Sequence, residues 1–526
     1  PPQTPASLAR NAAGQVTLRA VRITRPLVID GQLDEDLYQS VQPIDGFIQT
    51  NPSPGSPASE ATEVWIAYDT DKIYVAARCY DSAPEEKWVA NEMRRDNRNV
   101  IRNENFAIYF DTFLDRRNAF LFELTPIGGV YDATVTNEQP GGNIDYNPVW
   151  TGRSGRFPGG WTVEMAIPFR ILRYRPGNGQ VWGVNIRRTV RWKNEESFVN
   201  RMPPNEGSVI FQISKGGTLV GIDTPPARHN IEVKPYGITG FTTDHPAGSL
   251  SASKGKNNVG SDVKVGITDG LTADFTYNTD FAQVEADQEV VNTTRFNLFF
   301  PERRVFFTES AGIFDYGRSG SSPGGEAATN DPGILPLFYS RRIGLVDGQE
   351  VPIVGGGKVT GKVGQFSVGL INITTDASTV TVGGRPTRVE GSNYTALRVK
   401  RNILKQSSIG AIVLDRQGGL TDYNRSVGLD AGFLFGRNVT LTGLFAKTAT
   451  PGRSGNDTAS VVDFIWKSDR FTYGAQYADI ARDFNAEMGF IVRTDVRSTK
   501  AKASWTPRPR WWKGVRQVFF TGTVDD

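Results

Sequence analysis

From Leu271 to Phe281 the chain alternates residue by residue: Leu271, Ala273, Phe275, Tyr277, Thr279 and Phe281 on one side, Thr272, Asp274, Thr276, Asn278 and Asp280 on the other. Successive side chains of a strand point to opposite faces, so this segment separates an apolar surface from a polar one. The same reading applies to Ser426 to Phe435, where Val427, Leu429, Ala431, Phe433 and Phe435 oppose Ser426, Gly428, Asp430, Gly432 and Leu434. It applies again to Val439 to Phe445 and to Phe471 to Ala478. Further candidate strands lie near 231–242, 259–268, 352–363, 365–374, 394–402, 407–415, 459–467, 497–505 and 517–524, although Tyr394 to Arg401 alternates poorly. A dozen such segments without helices between them predict an antiparallel transmembrane β-barrel, apolar outside and polar inside. A soluble antiparallel sandwich also alternates, but here the polar face carries small residues and acids where a sandwich needs a packed core. Tyr473, Tyr477 and Trp466 recur where a membrane interface would hold them.

The first part of the chain has a different texture. Between Leu18 and Thr224 the candidate strands are shorter and richer in tryptophan and arginine, and several are apolar on both faces, as in Ile108, Tyr109, Phe110 and in Phe120, Leu121, Phe122. That suits a packed two-sheet core. One helical turn is expected at Leu33 to Ser40, with Asp34 as its cap. Pro225 and Pro226 break ladders and helices alike and mark a boundary. The expected organisation is therefore an N-terminal segment, 1–17; a β-sandwich, 18–224; and a barrel, 225–526, with an inserted segment, 281–340.

At 526 residues the chain is long enough for two domains, and its 56 glycines suit turns and thin strands. No stretch approaches the roughly 20 apolar residues of a spanning helix, so any membrane crossing is by strands. The 59 basic and 56 acidic residues nearly cancel, which gives no electrostatic case for nucleic acid. The single cysteine, Cys79, shares a face with Ile73, Val75 and Ala77 and reads as a buried structural thiol. Pro1 to Gln15 shows no charged-then-apolar leader, the expectation being that a signal peptide was removed or the chain trimmed. About 12 to 14 candidate strands follow Arg228, bacterial barrels use even numbers, and Thr521 to Asp526 lacks an aromatic closing residue. The sheet is thus expected to stop short of closure.

Chemistry has little material to work with. His229 and His245 are the only histidines, so zinc sites and Ser-His-Asp triads are nearly excluded. Gly355, Gly356, Gly357 and Lys358 lack the spacing of a phosphate loop and lead into strand residues, where glycines let a backbone bend at a barrel rim. Asp34, Glu35 and Asp36 read as a solvated, capping turn, and Glu104 and Asp111 flank a strand; Asp111 with Asp115 could coordinate calcium through oxygen. No other cofactor is implied. The sharper candidate is a sugar platform, in which flat aromatics stack on sugar C–H faces while arginines and acids bind hydroxyls. Trp88 with Arg94, Arg95 and Asp96, and Trp150 after a polar loop, fit that description, the alternative being core or interface burial; Trp65, Trp161 and Trp182 sit inside strands and read as core. In the insert, Asp280, Glu285, Asp287 and Glu289 precede Arg295, Arg303 and Arg304 around a phenylalanine cluster. Folded into the lumen, they would form an ion-pair lattice constricting the pore; the alternative is a solvated surface loop.

Ile29 to Glu35 (IDGQLDE), Val64 to Asp69 with Ile73 to Tyr80, and Trp161 to Phe169 (WTVEMAIPF) resemble the family 9 carbohydrate-binding-module-like domains. Asp280 to Asp287 (DFAQVEAD), Arg295 to Thr308 (RFNLFFPERRVFFT) and Phe338 to Gly344 (FYSRRIG) resemble a bacterial family of outer-membrane proteins of unknown function in which such a domain precedes a barrel. The likeness runs from about Val21 to Thr494. It implies an outer-membrane barrel in contact with lipid and a periplasmic domain that binds glycan, either peptidoglycan for anchoring or oligosaccharide for uptake. A glycan hydrolase using paired carboxylates and a non-catalytic envelope scaffold are the competing expectations.

Overall fold

The computed structural model describes the chain except residues 1–2, 13, 137, 139–140, 145, 147, 204–208, 227–230, 245–251, 269, 280–298, 301, 303, 317–334, 347–348, 383–384, 405–406, 437, 454, 469, 510, 513–514 and 516. The chain forms two compact units, Pro1–Arg228 and His229–Asp526.

The N-terminal unit is a sandwich of two sheets. One runs, in spatial order, Leu8–Arg10, Val16–Arg19, Gly217–Thr224, Gly177–Val190, Asn105–Asp111, Ala119–Leu124 and Val130–Val135. The other runs Thr151–Phe157, Gly160–Pro168, Lys72–Tyr80, Thr62–Tyr68 and Val21–Arg22. Between them lies one core, in which Trp161, Trp182, Phe106, Phe110, Phe122, Val75 and Cys79 are fully buried. Burial pushes the Cys79 thiol up to about 12, as for an inert structural cysteine. The strands are apolar on both faces because both are covered. Tyr109, Leu121, Tyr131 and Ala133 pack beneath Val209, Ile210, Phe211 and Ile213, and Trp65 packs beneath Tyr38, with Leu27, Leu33 and Leu37 beside them. The helical turn there is shorter than expected, Asp36–Ser40, with Glu35 at its N-cap and no side-chain cap. Asp34 does not cap it.

The sequence strings that suggested this fold meet physically. Glu164 of WTVEMAIPF accepts the backbone N–H groups of Asp30 (3.0 Å) and Gly31 (2.8 Å) and the Tyr38 hydroxyl (3.0 Å). Gly31 has φ +91°, and a Cβ on Gly155 would stand 2.0 Å from the Gly31 carbonyl oxygen. Both glycines are required for that approach.

The C-terminal unit is an antiparallel sheet of thirteen strands taken strictly in chain order: Ile231–Asp244, Ala252–Thr268, Leu271–Tyr277, Ile353–Val363, Phe366–Thr375, Asn393–Ile403, Ser407–Gln417, Tyr423–Phe435, Val439–Ala449, Thr458–Lys467, Phe471–Ile480, Val496–Trp505 and Phe520–Asp525. This is the wall of an up-and-down transmembrane β-barrel; among the described residues its two end strands do not pair with each other. Eleven-residue strands such as Ile353–Val363 span about 37 Å along their axis, which at a barrel tilt covers a band near 25 Å.

The outward face is bare and apolar: Phe275, Leu370, Val413, Val427, Leu429, Phe445, Val462 and Tyr473 are all exposed. The two ends of the sheet differ. Residues 364–365, 404–406, 436–438 and 468–470 make short connections at one end, where 506–519 is the one long exception; 278–352, 376–392, 418–422, 450–457 and 481–495 connect strands at the other. Near the short end the outward aromatics stack in a row, Trp466 on Tyr473 (5.5 Å between ring centroids), Phe471 on Trp505 (6.5 Å), Trp505 on Phe520 (5.3 Å) and Phe433 on Phe435 (5.9 Å). Toward the long end the outward row is polar, with Arg425 paired to Asp415 and Arg497 to Asp479, each at 3.2 Å, and Asn372 bonded to Asn393 and Thr395.

Two expectations change here and one is met. The alternating run from Leu271 ends at Tyr277, because Asn278 turns the chain at φ +53° and Thr279 is buried, its hydroxyl 3.0 Å from that of Thr276; Phe281 lies outside the described residues. The glycines 355–357 lie near the start of the strand Ile353–Val363, pairing with Phe275 to Tyr277, and the ladder shifts register between Ile353 and Gly355, as a bend at the rim requires. The inner face is not uniformly polar. Ile371, Ile373, Ile412, Leu414, Leu444 and Val461 point inward and form a second core with Phe306, Phe307, Phe314, Tyr316, Leu335 and Leu337 of the insert.

Candidate functional site

Trp88, the first tryptophan of the expected platform, is half-buried in the connection 81–104. The Arg156 guanidinium sits 5.3 Å from its ring centroid, held there by Glu85 through bonds of 2.8 and 2.6 Å. Arg156 belongs to the edge strand Thr151–Phe157 and is itself exposed, as are Thr151 and Arg153. The Trp88 indole N–H is buried without a hydrogen-bond partner among the described residues, an arrangement that costs about 1–3 kcal/mol until an acceptor arrives.

Trp150 is no platform. It is buried, packs edge-on against Phe122 (5.2 Å), and spends its N–H on Asp132 at 3.0 Å. Asp132 gathers the other expected residues. Arg95 donates to its carboxylate and to the Pro148 carbonyl (3.0 Å), and pairs with Asp96 at 3.2 Å; Asp96 in turn accepts the Asp132 backbone N–H at 2.9 Å. The second Asp132 oxygen has no partner among the described residues. Burial, and next the neighbouring Asp96 charge, push its carboxyl up to about 7. Arg94 is turned away, exposed and bidentate on Glu92, whose carboxyl it holds low, near 2. The structure therefore brings Arg95, Asp96 and Trp150 together through Asp132, and leaves Trp88 with Arg156 and Glu85. Sequence reading missed Asp132, Arg156 and Glu85: they are distant in the chain, and one acid within Val130–Val135 carries no mark of its partners.

The other carboxylates are engaged. Asp111 accepts the N–H groups of Asp115 (3.0 Å) and Arg116 (2.8 Å); Asp115 accepts those of Arg117 and Asn118, both at 2.9 Å. This donor set, N–H groups aimed at both acids, builds a turn and leaves the calcium expectation without a bare oxygen cage; no cluster of three metal-binding side chains occurs among the described residues. Glu104 accepts the Arg191 N–H at 2.7 Å and faces Arg188 at 3.3 Å, and burial raises its pKa.

In the C-terminal unit Asp280, Glu285, Asp287, Glu289, Arg295 and Arg303 lie outside the described residues. Arg304 is described, and it is a structural knot. Fully buried, its guanidinium forks onto Glu302 (2.9 and 2.7 Å), donates to the carbonyls of Ile343 (2.7 Å) and Ser340 (2.9 Å), and lies 4.2 Å from the Phe307 ring. Phe299 stacks on Tyr339 at 4.8 Å. The strings FFPERR and FYSRRIG thus fold onto one another and, through Tyr339 N–H to the Met488 carbonyl (2.7 Å), onto the connection after the eleventh strand. The ion pairs seen on the inner face at this place are made by other residues: Lys358 with Asp274 (3.7 Å), Lys264 with Glu309, and Lys234 with Glu232 (3.1 Å).

The sequence profile of a domain of unknown function, DUF5916, matches residues 225–512, the thirteen-stranded unit nearly end to end. The chain belongs to the DUF5916 family. No curated protein matches it. Among solved structures it is similar to a family 9 carbohydrate-binding module from Caldicellulosiruptor kristjanssonii in complex with cellotriose, at 17% identity over 40% of this chain and 95% of that one, TM-score 0.28. It is also similar to OccAB2 of Acinetobacter baumannii, at 8% identity over 80% of this chain and 79% of that one, TM-score 0.27. A third is OpdK of Pseudomonas aeruginosa with vanillate, at 11% identity over 76% of each chain, TM-score 0.23. At these scores the weight of any functional reading rests on the geometry of the DUF5916 sheet and of the unit before it.

Proposed function

We propose that this DUF5916 protein is a bacterial outer-membrane barrel whose N-terminal unit binds a glycan on the periplasmic side, and that it acts in oligosaccharide uptake. The observation that carries the reading is the outward face: exposed apolar rows bounded by stacked aromatics near the short connections and by paired charges toward the long ones. Lipid wants this face and water does not. Outer-membrane barrels keep their short turns in the periplasm, and the chain enters the sheet at Ile231, at the short-connection end, which supports a periplasmic N-terminal unit. Leu420, exposed in a long-end connection, provides the test. A cysteine there should react with a membrane-impermeant maleimide in intact cells, while one at Gly364 should react only after permeabilisation. Cys79 is buried and contributes little background. Reversed labelling would invert the orientation, and equal labelling would remove the membrane.

Within the N-terminal unit the platform is Trp88, with the Arg156–Glu85 pair as the exchangeable polar partner. The family 9 module similar to this chain was solved with cellotriose, which makes cellotriose the first probe. Full-length protein in detergent should retain it, and Trp88→Ala should lose it at least tenfold by calorimetry. Undiminished binding by the variant would remove Trp88 from the site. Release of reducing ends from the same sugar would favour a hydrolase, a reading weakened by Glu104, Asp111 and Asp115, whose oxygens accept backbone N–H groups.

A further inference from the structure

The long connection at the short-turn end, 506–519, joins Val496–Trp505 to Phe520–Asp525. It leaves from Trp505 and returns to Phe520, paired residues whose rings stack at 5.3 Å as part of the outward aromatic row. Past that pair the chain continues as a hairpin. The Val518 N–H reaches the Pro507 carbonyl at 3.0 Å, the Thr506 N–H reaches the Arg470 carbonyl of the neighbouring turn at 2.7 Å, and the tip closes where the Val515 N–H meets the Trp512 carbonyl at 3.2 Å. Trp511 is 81% exposed, Trp512 56% and Phe519 70%. Of the chain's ten tryptophans these two are the most exposed. The same connection holds Arg508, Arg510, Lys513 and Arg516, and from Val496 to Val524 the sequence contains no acid.

We infer that this hairpin docks on the phospholipid surface beside the sheet, with Trp511, Trp512 and Phe519 in the headgroup margin and the net positive charge of the segment drawn to anionic headgroups. The inference rests on the membrane reading above. Water is a poor solvent for bare indoles, and an apolar ring with one polar edge suits the boundary between hydrocarbon and water. Cations with no acid among them add an attraction to lipid phosphate that acts close to the surface and weakens with salt. Rings and cations would suit an acidic protein surface too, but lipid is the partner already at hand. Both ends of the hairpin are tethered to Trp505 and Phe520, members of the row that the membrane reading puts at the lipid margin, so the headgroups lie within its reach.

The test uses the full-length chain in nanodiscs, with a fluorophore on Val515→Cys at the hairpin tip, on Leu429→Cys in the outward row, or on Leu420→Cys at the opposite end; Cys79 is buried. Each probe is quenched in turn by lipid carrying a doxyl group near its headgroup and by iodide in the water. In discs of phosphatidylcholine with phosphatidylglycerol, the Val515 probe should be quenched by the lipid several-fold more than the Leu420 probe and be the less open to iodide. Trp511→Ser with Trp512→Ser should abolish that difference, and phosphatidylcholine alone or high salt should reduce it. A Val515 probe as open to iodide as the Leu420 probe, beside a lipid-quenched Leu429 probe, overturns the docking and leaves the membrane reading standing. A Val515 probe shielded from both quenchers means that protein covers the hairpin, and overturns the docking as well. Equal quenching in both lipid compositions overturns the recognition of anionic headgroups. Loss of lipid quenching at Leu429 too would remove the membrane reading and the docking together.

Discussion

Trp65 lies on the outer face of its sheet in the N-terminal unit and is only 3% exposed, because Tyr38 and its neighbours cover it. Leu429 takes the corresponding outward place in the C-terminal sheet and is 58% exposed, as are most of its row mates to a similar degree. Both are apolar residues on the far side of a strand from the core. In the first unit the chain supplies the cover, using irregular segments such as 209–213 and the helical turn Asp36–Ser40. In the second, among the described residues, it supplies none outward and sets the described part of its long connection against the inner face instead. An outward row left apolar across strand after strand marks a surface whose solvent is not water.

The largest break in this comparison comes from truncating a covered aromatic. Trp182 is fully buried among Phe110, Phe169 and Tyr174, so Trp182→Ala should destabilise the N-terminal unit by about 3–5 kcal/mol. Thermal unfolding followed by tryptophan fluorescence would register it. A loss below 1 kcal/mol would mean that the sandwich is not held by this core. Next in size is a charge on the bare row. Leu429→Arg should cost about 2–4 kcal/mol in a lipid bilayer if that row faces the hydrocarbon, read as the folded fraction in vesicles by heat-modifiable migration. Equal folding of the variant would place Leu429 against water.

Much of this contrast was legible in the chain. Val427, Leu429, Phe471 and Tyr473 announce their face because each has a polar or small neighbour on either side, and a period of two needs no knowledge of tertiary structure. The inner core was not legible for the same reason. Ile412, Leu414, Leu444 and Val461 occupy the positions that should be polar, because the insert covers them, and from one strand they look only like blurred alternation. The strings FFPERR and FYSRRIG were conspicuous, but nothing local tells that Arg304 closes on Ser340 and Ile343. Asp132 was invisible: its partners Arg95 and Trp150 come from two separate connections, and only the fold brings them within bonding distance.

That buried acid sharpens the comparison in a second way, because the N-terminal unit should respond to pH. The Asp132 carboxyl is raised to about 7 in the folded unit, above the ordinary range it has in the unfolded chain. The folded state therefore keeps a proton that the unfolded state gives up, so the contribution of this group to stability is fullest below about pH 4 and is lost as pH rises toward 7, with little further change above. Glu164, raised to about 7 chiefly by burial, acts in the same direction. Asp132→Asn keeps an oxygen for Trp150 and Arg95 and removes the titration. It should flatten part of the slope and gain about 1–3 kcal/mol at pH 8. A variant with the same slope as the parent would assign the pH response elsewhere.

The smallest effect tests where lipid ends. Arg425 and Asp415 pair at 3.2 Å on the outward face, both well exposed, one row beyond Val427 and Val413. If that row lies in the aqueous headgroup margin, the pair is an ordinary surface ion pair, and Arg425→Ala should change stability in vesicles by under about 1 kcal/mol, less still at high salt. If the row were submerged, removing the arginine would strand the Asp415 carboxylate in hydrocarbon and the loss would be several times larger. The stacked aromatics Trp466, Tyr473, Phe471 and Trp505 put one edge of the apolar band near the short connections. A small response at Arg425 would put the other edge just beyond Val427, which makes the band's width a measurable property of the sheet rather than an inference from its pattern.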